Sequence, residues 1–365
     1  MTDITTLSGP VPPGGTIGIL GGGQLGRMLA LAAARLGFKT HIYSDQANPC
    51  AFQVADAHTS ARYDDQSALE KFARACDAIT MEFENIPVAT VNFLSALRPV
   101  NPNGRALAIT QDRLEEKNFV RAQGLRTPHF AAVSSPADIV HALEVTGSPA
   151  VLKTRRMGYD GKGQAKVATA AEAADAFARF HGAPCILESF VPFAFEASIV
   201  AARAWNGDFA AYDPSENLHE HHILRRTAVP SRLNDAQADA AKAYADIIAR
   251  GLEYVGVLAV ELFVTEDWVM LVNEIAPRVH NSGHWTLDAC MVSQFEQHIR
   301  AVAGWPLGDP RRHSDAVMEN IIGEEANDWR RLSAHGGALH LYGKSPALSG
   351  RKMGHITRLS PMSGR

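Results

Sequence analysis

The sequence predicts a chain of combined α/β and α+β class, in which an N-terminal parallel-sheet domain precedes a larger α+β region. Two patterns support this class. In the first fifty residues a strand, a glycine-rich turn, a helix and a second strand follow one another, which is the order of a βαβ unit. Further along, apolar strands are separated only by short turns, which indicates antiparallel pairing. A length of 365 residues allows two or three domains.

Composition argues against several classes of protein. The chain is 46% hydrophobic and 20% charged, and its formal net charge of −4 gives no reason to expect nucleic-acid binding through bulk charge. No apolar stretch is long enough to cross a membrane. Four widely spaced cysteines without a C-x-x-C motif argue against zinc or a disulfide framework and suit a reducing cytoplasm. Residues 1–14 lack the basic and apolar segments of a signal peptide, and we expect them to form a mobile leader.

The N-terminal domain is predicted to be Rossmann-like. Residues 16–45 (TIGILGGGQLGRMLALAAARLGFKTHIYSD) predict a strand, a tight turn, a helix and a second strand. The helix shows apolar periodicity from Leu25 to Leu36 and should end at Gly37. The segment DAITMEFENIP predicts a further strand and turn, and RPVNPNG after it predicts a linker.

The glycine turn has the spacing G-x-G-x-x-G. Its glycines are Gly21, Gly23 and Gly26, and Asp45 ends the next strand about 20 residues later, as in dinucleotide-binding motifs. Such a turn favours an anion at the helix N-terminus, where N–H groups and the helix dipole attract negative charge. Tight packing of strand on helix without a ligand is the alternative, and the motif does not identify the phosphate.

A glycine-rich segment interrupts a predicted hairpin further on. Lys153 ends the apolar run PAVLK, Arg155 and Arg156 follow, and residues 157–164 (MGYDGKGQ) contain three glycines before the strand AKVAT. Glycines let N–H groups approach a ligand and the basic residues add charge, so we predict a flap over a polyphosphate. A surface loop without a ligand is the alternative.

Residues 255–274 (VGVLAVELFVTEDWVMLVNE) predict two antiparallel strands around a central turn. Counting outward from that turn places Glu261 within about one residue of facing Glu274. Facing carboxylates repel each other, and these strands are rich in Val and Leu. A Mg²⁺ ion would relieve the repulsion, with Asn273 as a further oxygen donor. Two solvated carboxylates are the alternative.

The segment NEIAPRVHNSGHW leaves this hairpin with a dense set of polar side chains. Arg278 can form a bidentate fork with an anion, and His280 can donate a hydrogen bond or shuttle a proton near neutral pH. Asn281 adds a neutral donor. We therefore predict that the loop binds a small anionic substrate beside the metal; a loop stabilised by its own polar contacts is the alternative.

Two further segments supply candidate ligands. ENLHEHHIL contains His219, His221 and His222, whose spacing does not match a zinc motif, so we expect one histidine near phosphate rather than a transition metal. CILESFVPFAFEAS places Glu188 at the end of a strand and Glu196 after a short turn. Such an edge can bind adenine through its backbone and ribose through a carboxylate; two exposed acids are the alternative.

Together these segments resemble the ATP-grasp superfamily and, more closely, its N5-carboxyaminoimidazole ribonucleotide synthetase family. The resemblance rests on GGGQLGRM, GYDGKGQ and NEIAPRVHNSGHWT, which are specific to that family, and on the glutamate pair, which is shared by the superfamily. It implies an ATP-grasp fold with an N-terminal Rossmann-like (pre-ATP-grasp) domain at 1–112 and an ATP-grasp domain at 113–305. Within the latter, 126–190 would form a small flap-bearing subdomain, and a small C-terminal domain at 306–365 would complete the substrate site.

The resemblance also implies a reaction and its participants. ATP would phosphorylate bicarbonate to carboxyphosphate, which would carboxylate the amine of 5-aminoimidazole ribonucleotide (AIR), releasing ADP and phosphate. The flap would close over ATP and keep water from the acyl phosphate. We expect a cytoplasmic homodimer that uses ATP and Mg²⁺ and has no nucleic-acid or membrane partner. The chain ends soon after GRKMGH, where the resemblance leads us to expect a further segment.

Each matching residue receives an implied role. ATP would be held by Arg113, Lys153, Gly158, Tyr159, Asp160, Gly161, Lys162, Gly163, Gln164, Glu188, Ser189, Phe190, Val191, Glu196, His219, Asn273 and Glu274. Mg²⁺ would be held by Glu261 and Glu274, and bicarbonate and carboxyphosphate by Arg278, His280 and Asn281. AIR would contact Gly23, Gln24, Leu25, Glu82, Tyr159, Asp160, Arg351 and Lys352.

Three other functions would use part of the same pattern. A nicotinamide-dependent dehydrogenase would use the glycine turn and Asp45 but neither the flap nor the glutamate pair. A sibling ATP-grasp ligase for formate and a glycinamide nucleotide would share the flap and metal but not the PRVHNSGHW loop. A nucleotide sensor would bind ATP without releasing phosphate, which the intact Lys153 and glutamate pair argue against.

Overall fold

The computed structural model describes residues 9–158, 163–334 and 336–363. Residues 159–162 of the predicted flap and the first eight residues of the predicted leader lie outside this description. The described part of the leader is not the mobile tail that we expected. Val11 is buried, its N–H group donates to the Ala303 carbonyl, and its own carbonyl accepts from the Trp305 indole. The apolar side chain is stabilised here by removal from water.

The N-terminal sheet is parallel, as the sequence predicts, with the strand order β3-β2-β1-β4. Its strands are β1 (Thr16–Leu20), β2 (Lys39–Ser44), β3 (Ala57–Ser60) and β4 (Ala78–Met81). The helices of this region are α1 (Gln24–Arg35), α2 (Gln66–Arg74) and α3 (Val88–Ser95). Gly37 follows α1 at φ 80°, a left-handed conformation that glycine adopts without strain. The predicted linker RPVNPNG is partly wrong, because Val100 extends the sheet through a parallel bridge to Ile79.

Helices α4 (Gly104–Thr110) and α5 (Arg113–Ala122) lead to a second, antiparallel sheet with the order β5-β8-β6-β7. Asp112 caps α5 by accepting a hydrogen bond from the Leu114 N–H group. The strands are β5 (Phe130–Val133), β6 (Ala150–Thr154), β7 (Gln164–Val167) and β8 (Cys185–Ser189), and the helices are α6 (Ile139–Thr146) and α7 (Ala170–Arg179). The predicted flap therefore joins β6 to β7.

The third sheet has the order β14-β13-β9-β11-β12-β15-β17-β16, with β10 paired to β9. Its strands are β9 (Phe193–Arg203), β10 (Phe209–Ala211), β11 (Ser215–Glu220), β12 (Ile223–Val229), β13 (Gly256–Thr265), β14 (Met270–Ala276), β15 (Asp315–Ile322), β16 (Ala338–Leu341) and β17 (Lys352–Ser360). The helices here are α8 (Asp235–Gly251), α9 (Thr286–Ala289), α10 (Gln294–Val302) and α11 (Trp329–Ala334). Since β15 pairs with β12, the predicted boundary at 305/306 does not interrupt the sheet.

Strand register places four polar residues in one row across the third sheet. Glu274 of β14 faces Glu261 of β13, Glu261 faces Ser198 of β9, and Ser198 faces Ser215 of β11. Opposed residues on antiparallel strands project from the same face of a sheet. The predicted pairing of the two glutamates is therefore confirmed. Within the described parts of the chain, no helix combines the length and the apolar character needed to cross a membrane.

Candidate active site

One cleft of about 1160 Å³ is lined by residues of the second and third sheets and by residues that follow β1 and β4 of the N-terminal sheet. It brings together most of the predicted site residues that the structure describes. Those in its walls are Gly23, Gln24, Leu25, Glu82, Arg113, Lys153, Gly158, Gln164, Glu188, Ser189, Phe190, Val191, Glu196, His219, Glu261, Asn273, Glu274, Arg278, His280, Asn281 and Lys352. Gly163 and Arg351 are not among the lining residues, and the predictions for Tyr159, Asp160, Gly161 and Lys162 lie outside the described residues.

The glutamate pair forms an acidic position in this cleft. Burial, and then the neighbouring charge of Glu274, raise the pKa of Glu261 to about 8. Arg113 compensates part of this charge, with its Nη1 atom 3.2 Å from Glu274 Oε2. Two facing carboxylates beside the Asn273 side chain form an oxygen donor set suited to a hard divalent cation. The residues present therefore fit Mg²⁺.

A buried cluster of one carboxylate and two lysines lies at the end of β8. Glu188 Oε2 is 2.9 Å from Lys153 Nζ and 3.6 Å from Lys117 Nζ. Burial alone would raise the pKa of Glu188, but Lys117 and then Lys153 outweigh it and lower the value to about 2. Lys117 also donates hydrogen bonds to the Val272 and Asn273 carbonyls of β14. This lysine, which sequence reasoning missed, joins the second sheet to the third behind the cleft.

The other basic residues at the flap have structural partners. Arg155 forms a bidentate pair with Asp112, at 2.8 Å for both bonds, and Arg156 donates to the same carboxylate at 3.2 Å. Arg113 Nη2 donates to the Gly158 carbonyl at 3.0 Å. Of the basic residues that precede the glycines, Lys153 and Arg155 both line the cleft. Arg155 is held by Asp112 in a bidentate pair, and Lys153, which contacts Glu188 inside the cleft, is the one that we expect to meet a phosphate.

Glu196 of β9 and His219 of β11 form a hydrogen-bonded pair on the third sheet, with 2.6 Å between His219 Nδ1 and Glu196 Oε2. Burial lowers the pKa of His219, but the hydrogen bond that His219 Nδ1 donates to the Glu196 carboxylate, together with the charge of that carboxylate, outweighs this and raises the pKa. His222 lies at the β11–β12 turn, where its ring is 3.2 Å from the Gln164 amide at the start of β7. All three histidines of this segment line the cleft, and His219, the one predicted to be in the site, is the one paired with Glu196. Its nearness to a phosphate stays a prediction.

The anion at the glycine turn is the protein's own carboxylate, which corrects the prediction of a phosphate there. Glu82 Oε1 accepts from Gly23 N at 2.5 Å, and Oε2 accepts from Gly26 N at 2.9 Å. A Cβ atom at Gly23 would lie 2.7 Å from Glu82 Oε1, so glycine is needed for this approach. Burial raises the pKa of Glu82, and the two backbone donors offset part of that shift.

Arg278 does not present its bidentate edge to the cleft, which is a second correction. Its Nε atom and its Nη2 atom, the latter at 3.0 Å, donate to the two carboxylate oxygens of Glu84. Its Nη1 atom makes only a 3.3 Å contact to the Val279 carbonyl. Glu84 was not predicted from the sequence, because it is far from Arg278 along the chain.

The surroundings of His280 favour the predicted hydrogen-bond donor over the predicted proton shuttle. Burial, and then the charge of Arg278, lower its pKa well below the ordinary value. Its Nδ1 atom is 2.8 Å from Ser282 Oγ, and its Nε2 atom is 3.2 Å from Glu261 Oε1. The ring is therefore suited to donate a hydrogen bond at pH 7 and is a poor base.

Asn281 is the least satisfied polar group of the loop. The residue is 8% exposed, and neither its amide nitrogen nor its amide oxygen has a hydrogen-bond partner among the described residues. A buried amide in this condition costs free energy unless a ligand or water satisfies it. It lines the same cleft as Glu261 and Lys153.

A basic group beside the glycine turn includes a residue that the sequence did not reveal. Burial lowers the pKa of Lys344 to about 8, and its charged neighbours include Arg351, Glu82 and Lys352. Lys344 Nζ donates to the Lys352 carbonyl at 2.8 Å. The Arg351 side chain donates to the Ser345 and Pro346 carbonyls of its own loop. The signal in the sequence was YGK shortly before GRK, which has meaning only when Gly343, between β16 and β17, is known to contact Gln53 of the N-terminal domain.

Three family models match the chain in sequence order. They are a ribonucleotide synthetase preATP-grasp domain at residues 15–111, an ATP-grasp domain at 118–295 and a phosphoribosylaminoimidazole carboxylase C-terminal domain at 316–363. With the cation-lined cleft and the facing glutamates, these matches define an ATP-dependent ligase of the ATP-grasp superfamily.

Individual relatives narrow the class. The chain is 50% identical over 352 residues to an N5-carboxyaminoimidazole ribonucleotide synthase of Brucella melitensis, covering 96% of this chain and 97% of that protein. A solved N5-carboxyaminoimidazole ribonucleotide synthetase in complex with ADP is 41% identical, with a TM-score of 0.93 and coverage of 97% and 94%. An Aspergillus clavatus synthase in complex with ADP and 5-aminoimidazole ribonucleotide is 28% identical, with a TM-score of 0.89 and coverage of 96% and 94%. The chain belongs to the N5-carboxyaminoimidazole ribonucleotide synthase family, and the dehydrogenase alternative is excluded.

Proposed function

We propose that this cleft carries out the reaction of the family, the ATP-dependent carboxylation of AIR to N5-carboxyaminoimidazole ribonucleotide in purine biosynthesis. The observation that carries the proposal is the facing pair of Glu261 and Glu274 in one cleft with Lys153 and the unsatisfied Asn281 amide. A related enzyme has been solved with ADP and AIR. The same cleft therefore has the parts needed for a phosphate donor and a small anionic acceptor.

ATP lies between the second and third sheets in this proposal. Lys153 binds its phosphates, and Arg113, which already reaches Gly158 at the base of the flap, adds a second cation. The edge of β8 from Glu188 to Val191 binds adenine, and Glu196, held by His219, accepts from ribose hydroxyls. The flap residues Gly158 to Gln164 cover the phosphates, which excludes water from the reacting groups.

Glu261 and Glu274, with the Asn273 amide, would hold Mg²⁺. When bound, the ion would neutralise charge on the ATP phosphates beside these carboxylates. Arg113 contacts Glu274 from one side and His280 contacts Glu261 from the other. These contacts hold the two carboxylates in place before substrates arrive.

Bicarbonate and carboxyphosphate bind at the loop that follows β14. A bicarbonate oxygen attacks the γ-phosphorus of ATP and ADP leaves, which gives carboxyphosphate. The Asn281 amide and Arg278 Nη1 donate to this anion, and Glu84 fixes the orientation of the Arg278 guanidinium. His280 lines the same cleft, and its Nε2 atom lies 3.2 Å from Glu261 Oε1, where it helps to position that carboxylate. The site is built of fixed donors, as a short-lived dianion requires.

AIR binds beside the glycine turn. The residues Gly23, Gln24 and Leu25 and the Glu82 carboxylate line this end of the cleft. Lys344, Arg351 and Lys352 supply positive charge for its phosphate. The amine nitrogen of AIR attacks the carboxyl carbon of carboxyphosphate, the bond to the phosphate oxygen breaks, and the nitrogen loses a proton. The roles proposed for Tyr159 and Asp160 concern residues that the structure does not describe.

The division into domains at 1–112, 113–305 and 306–365 is retained as part of this proposal, although the third sheet spans the last two. A cytoplasmic location is supported by four buried free thiols. The homodimer stays a prediction that sedimentation of the purified protein can test.

Phosphate release measured with and without AIR and bicarbonate tests the proposal. We expect release from ATP to require both, and Asn281→Ala to reduce it by about 10²–10³, because a preorganised donor to a developing anion is lost. Binding of ADP, measured by calorimetry, should be unchanged. Asn206→Ala, in an exposed turn where the side chain contacts Asp208, is the matched control and should keep full activity. Phosphate release with formate and a glycinamide nucleotide in place of bicarbonate and AIR would overturn the assignment.

A further inference from the structure

A line of buried hydrogen bonds leads through the third sheet to His280. Thr227 Oγ1 donates to Asn217 Oδ1 at 3.0 Å, and Asn217 Nδ2 donates to Ser198 Oγ at 3.0 Å. Ser198 Oγ donates to Ser282 Oγ at 2.7 Å, and Ser282 Oγ lies 2.8 Å from His280 Nδ1. The four side chains before His280 are buried. The line therefore consists of side chains shielded from bulk water.

The direction of every bond in this line follows from its donors. The Ser282 backbone N–H group can only donate, and it points to His280 Nδ1 at 3.3 Å. His280 Nδ1 must then be an acceptor, so the single hydroxyl proton of Ser282 is also directed to it. Ser282 Oγ is left to accept from Ser198, and Ser198 Oγ to accept from the Asn217 amide. All bonds point towards the imidazole.

We propose that Ser282 is a positioning residue for the reaction, because its hydroxyl, at 2.8 Å the nearer of the two donors to His280 Nδ1, stabilises the tautomer that carries hydrogen on Nε2. The backbone N–H group at 3.3 Å is the weaker donor and holds this tautomer less firmly on its own. The Nε2–H group of this tautomer faces Glu261 Oε1 at 3.2 Å. The opposite tautomer would place the Nε2 lone pair against the carboxylate, so this attractive contact with Glu261 would become a repulsion. The inference rests on the proposed function only for its effect on turnover; the tautomer itself is a property of the free protein.

Sheet register explains why this line exists. Ser198 is the cross-strand neighbour of Glu261, and Asn217 is paired with Thr227 on the next strands. Glu261 and Ser198, whose hydroxyl donates to Ser282, therefore occupy adjacent backbone positions of one sheet. Hydrogen bonds of this kind behind a metal ligand typically hold its orientation and are costly to remove.

The chain offers a matched control for Ser282. Ser215 is buried to the same degree and its hydroxyl lies 3.0 Å from Ser198 Oγ, but it donates into the line from a side branch. Removing it leaves the bonds from Asn217 to His280 intact. Ser215→Ala therefore introduces the same change of side chain next to Ser198, without interrupting the line of hydrogen bonds from Asn217 to His280.

The test is a two-bond ¹H–¹⁵N correlation spectrum of the full chain with labelled histidine, in which the two tautomers have distinct nitrogen shifts. The His280 signals are assigned by their loss in His280→Gln. We expect the Nε2–H pattern in the parent and in Ser215→Ala, and a mixture with the Nδ1–H pattern in Ser282→Ala. Should Ser282→Ala fail to fold, Ser282→Cys, with a similar shape and a weak donor, takes its place.

Turnover separates this inference from the proposed function. The Ser282 variant should lower kcat about threefold to tenfold, the size expected for one net hydrogen bond, with ADP affinity unchanged; Ser215→Ala should match the parent. An unchanged His280 tautomer in the folded Ser282 variant would overturn the inference. Absence of AIR-dependent turnover in the parent would instead overturn the proposed function and leave the tautomer result standing.

Discussion

Glu82 at the glycine turn and Glu261 with Glu274 on the third sheet are both carboxylate sites in one cleft, but they are satisfied in different ways. Glu82 accepts hydrogen bonds from two backbone N–H groups at the start of α1. Glu261 faces another carboxylate, and the contact that it receives is from His280. The first site has its partners within the protein, whereas the second has, among the described residues, one cationic side chain in contact with its two carboxylates, Arg113 at Glu274, which is why we propose a bound Mg²⁺ there. A buried acid indicates a ligand when the chain does not already supply its partners.

The largest effect should follow from changing the glutamate pair. We expect Glu274→Gln to fold normally and to lose Mg²⁺-dependent phosphate release by at least about 10³-fold, because a charged ligand to the cation is replaced by a neutral one. A Mg²⁺ titration of turnover, with circular dichroism to confirm folding, measures this. Near-normal turnover at ordinary Mg²⁺ concentrations would show that the pair is not the metal site.

Glu188 sharpens the comparison, because its partners are side-chain cations. We expect Lys117→Met to destabilise the protein by about 3–5 kcal/mol at pH 7, as breaking a buried ion pair does. The pKa of Glu188 is lowered to about 2, so its ion-pair contribution is fully present above its unfolded value near 4.5 and is lost as pH falls towards 2. The difference between variant and parent in urea unfolding should therefore shrink below about pH 4.5. A difference that does not change with pH would contradict this account.

A smaller effect is expected at the glycine turn. Glu82→Gln keeps the shape of the side chain, but its NH₂ group would face a backbone N–H group that now donates to a carboxylate oxygen. We expect a loss of about 1–3 kcal/mol in the free energy of unfolding, the cost of one unsatisfied buried donor. Urea unfolding at pH 7 measures it. An unchanged unfolding midpoint would mean that the glycine turn does not depend on this carboxylate.

The smallest effect is an expected absence of change. Since Glu82 occupies the N–H groups that would bind a pyrophosphate, adding NADH should leave the thermal midpoint where it is. ADP is the positive control and should raise the midpoint through binding to the folded state. A rise with NADH that survives saturation with ADP would show that the glycine turn binds a dinucleotide after all.

Features set by local pattern were predictable from the sequence. The glutamate pair was found because a turn between two strands fixes their register, which is confirmed by the pairing of Glu261 with Glu274. The parallel N-terminal sheet and the end of α1 at Gly37 follow from periodicity and glycine chemistry. These signals lie within a few tens of residues of one another.

Partners that are distant in sequence were not predictable in this way. The binding of Glu82 to the glycine turn, of Glu84 to Arg278 and of Lys117 to β14 each depends on how separate elements meet. The donors in the glycine turn were correctly placed at a helix N-terminus, but their acceptor was a side chain of the same protein. Motif spacing describes what a segment can bind, and the rest of the fold decides what it does bind.

The order of strands in the third sheet has a mechanical consequence. Five strand spacings separate β13, which bears Glu261, from β17, which begins at Lys352, so a flat sheet would hold them about 24 Å apart. Both residues nevertheless line one cleft, which is explained if the sheet curves around that cleft. The distance between the proposed metal site at Glu261 and the proposed AIR site at Lys352 is thus set by the curvature of the sheet. A β-bulge introduced into β12, midway along this arc, should therefore change that span by changing the local bend and twist of the sheet.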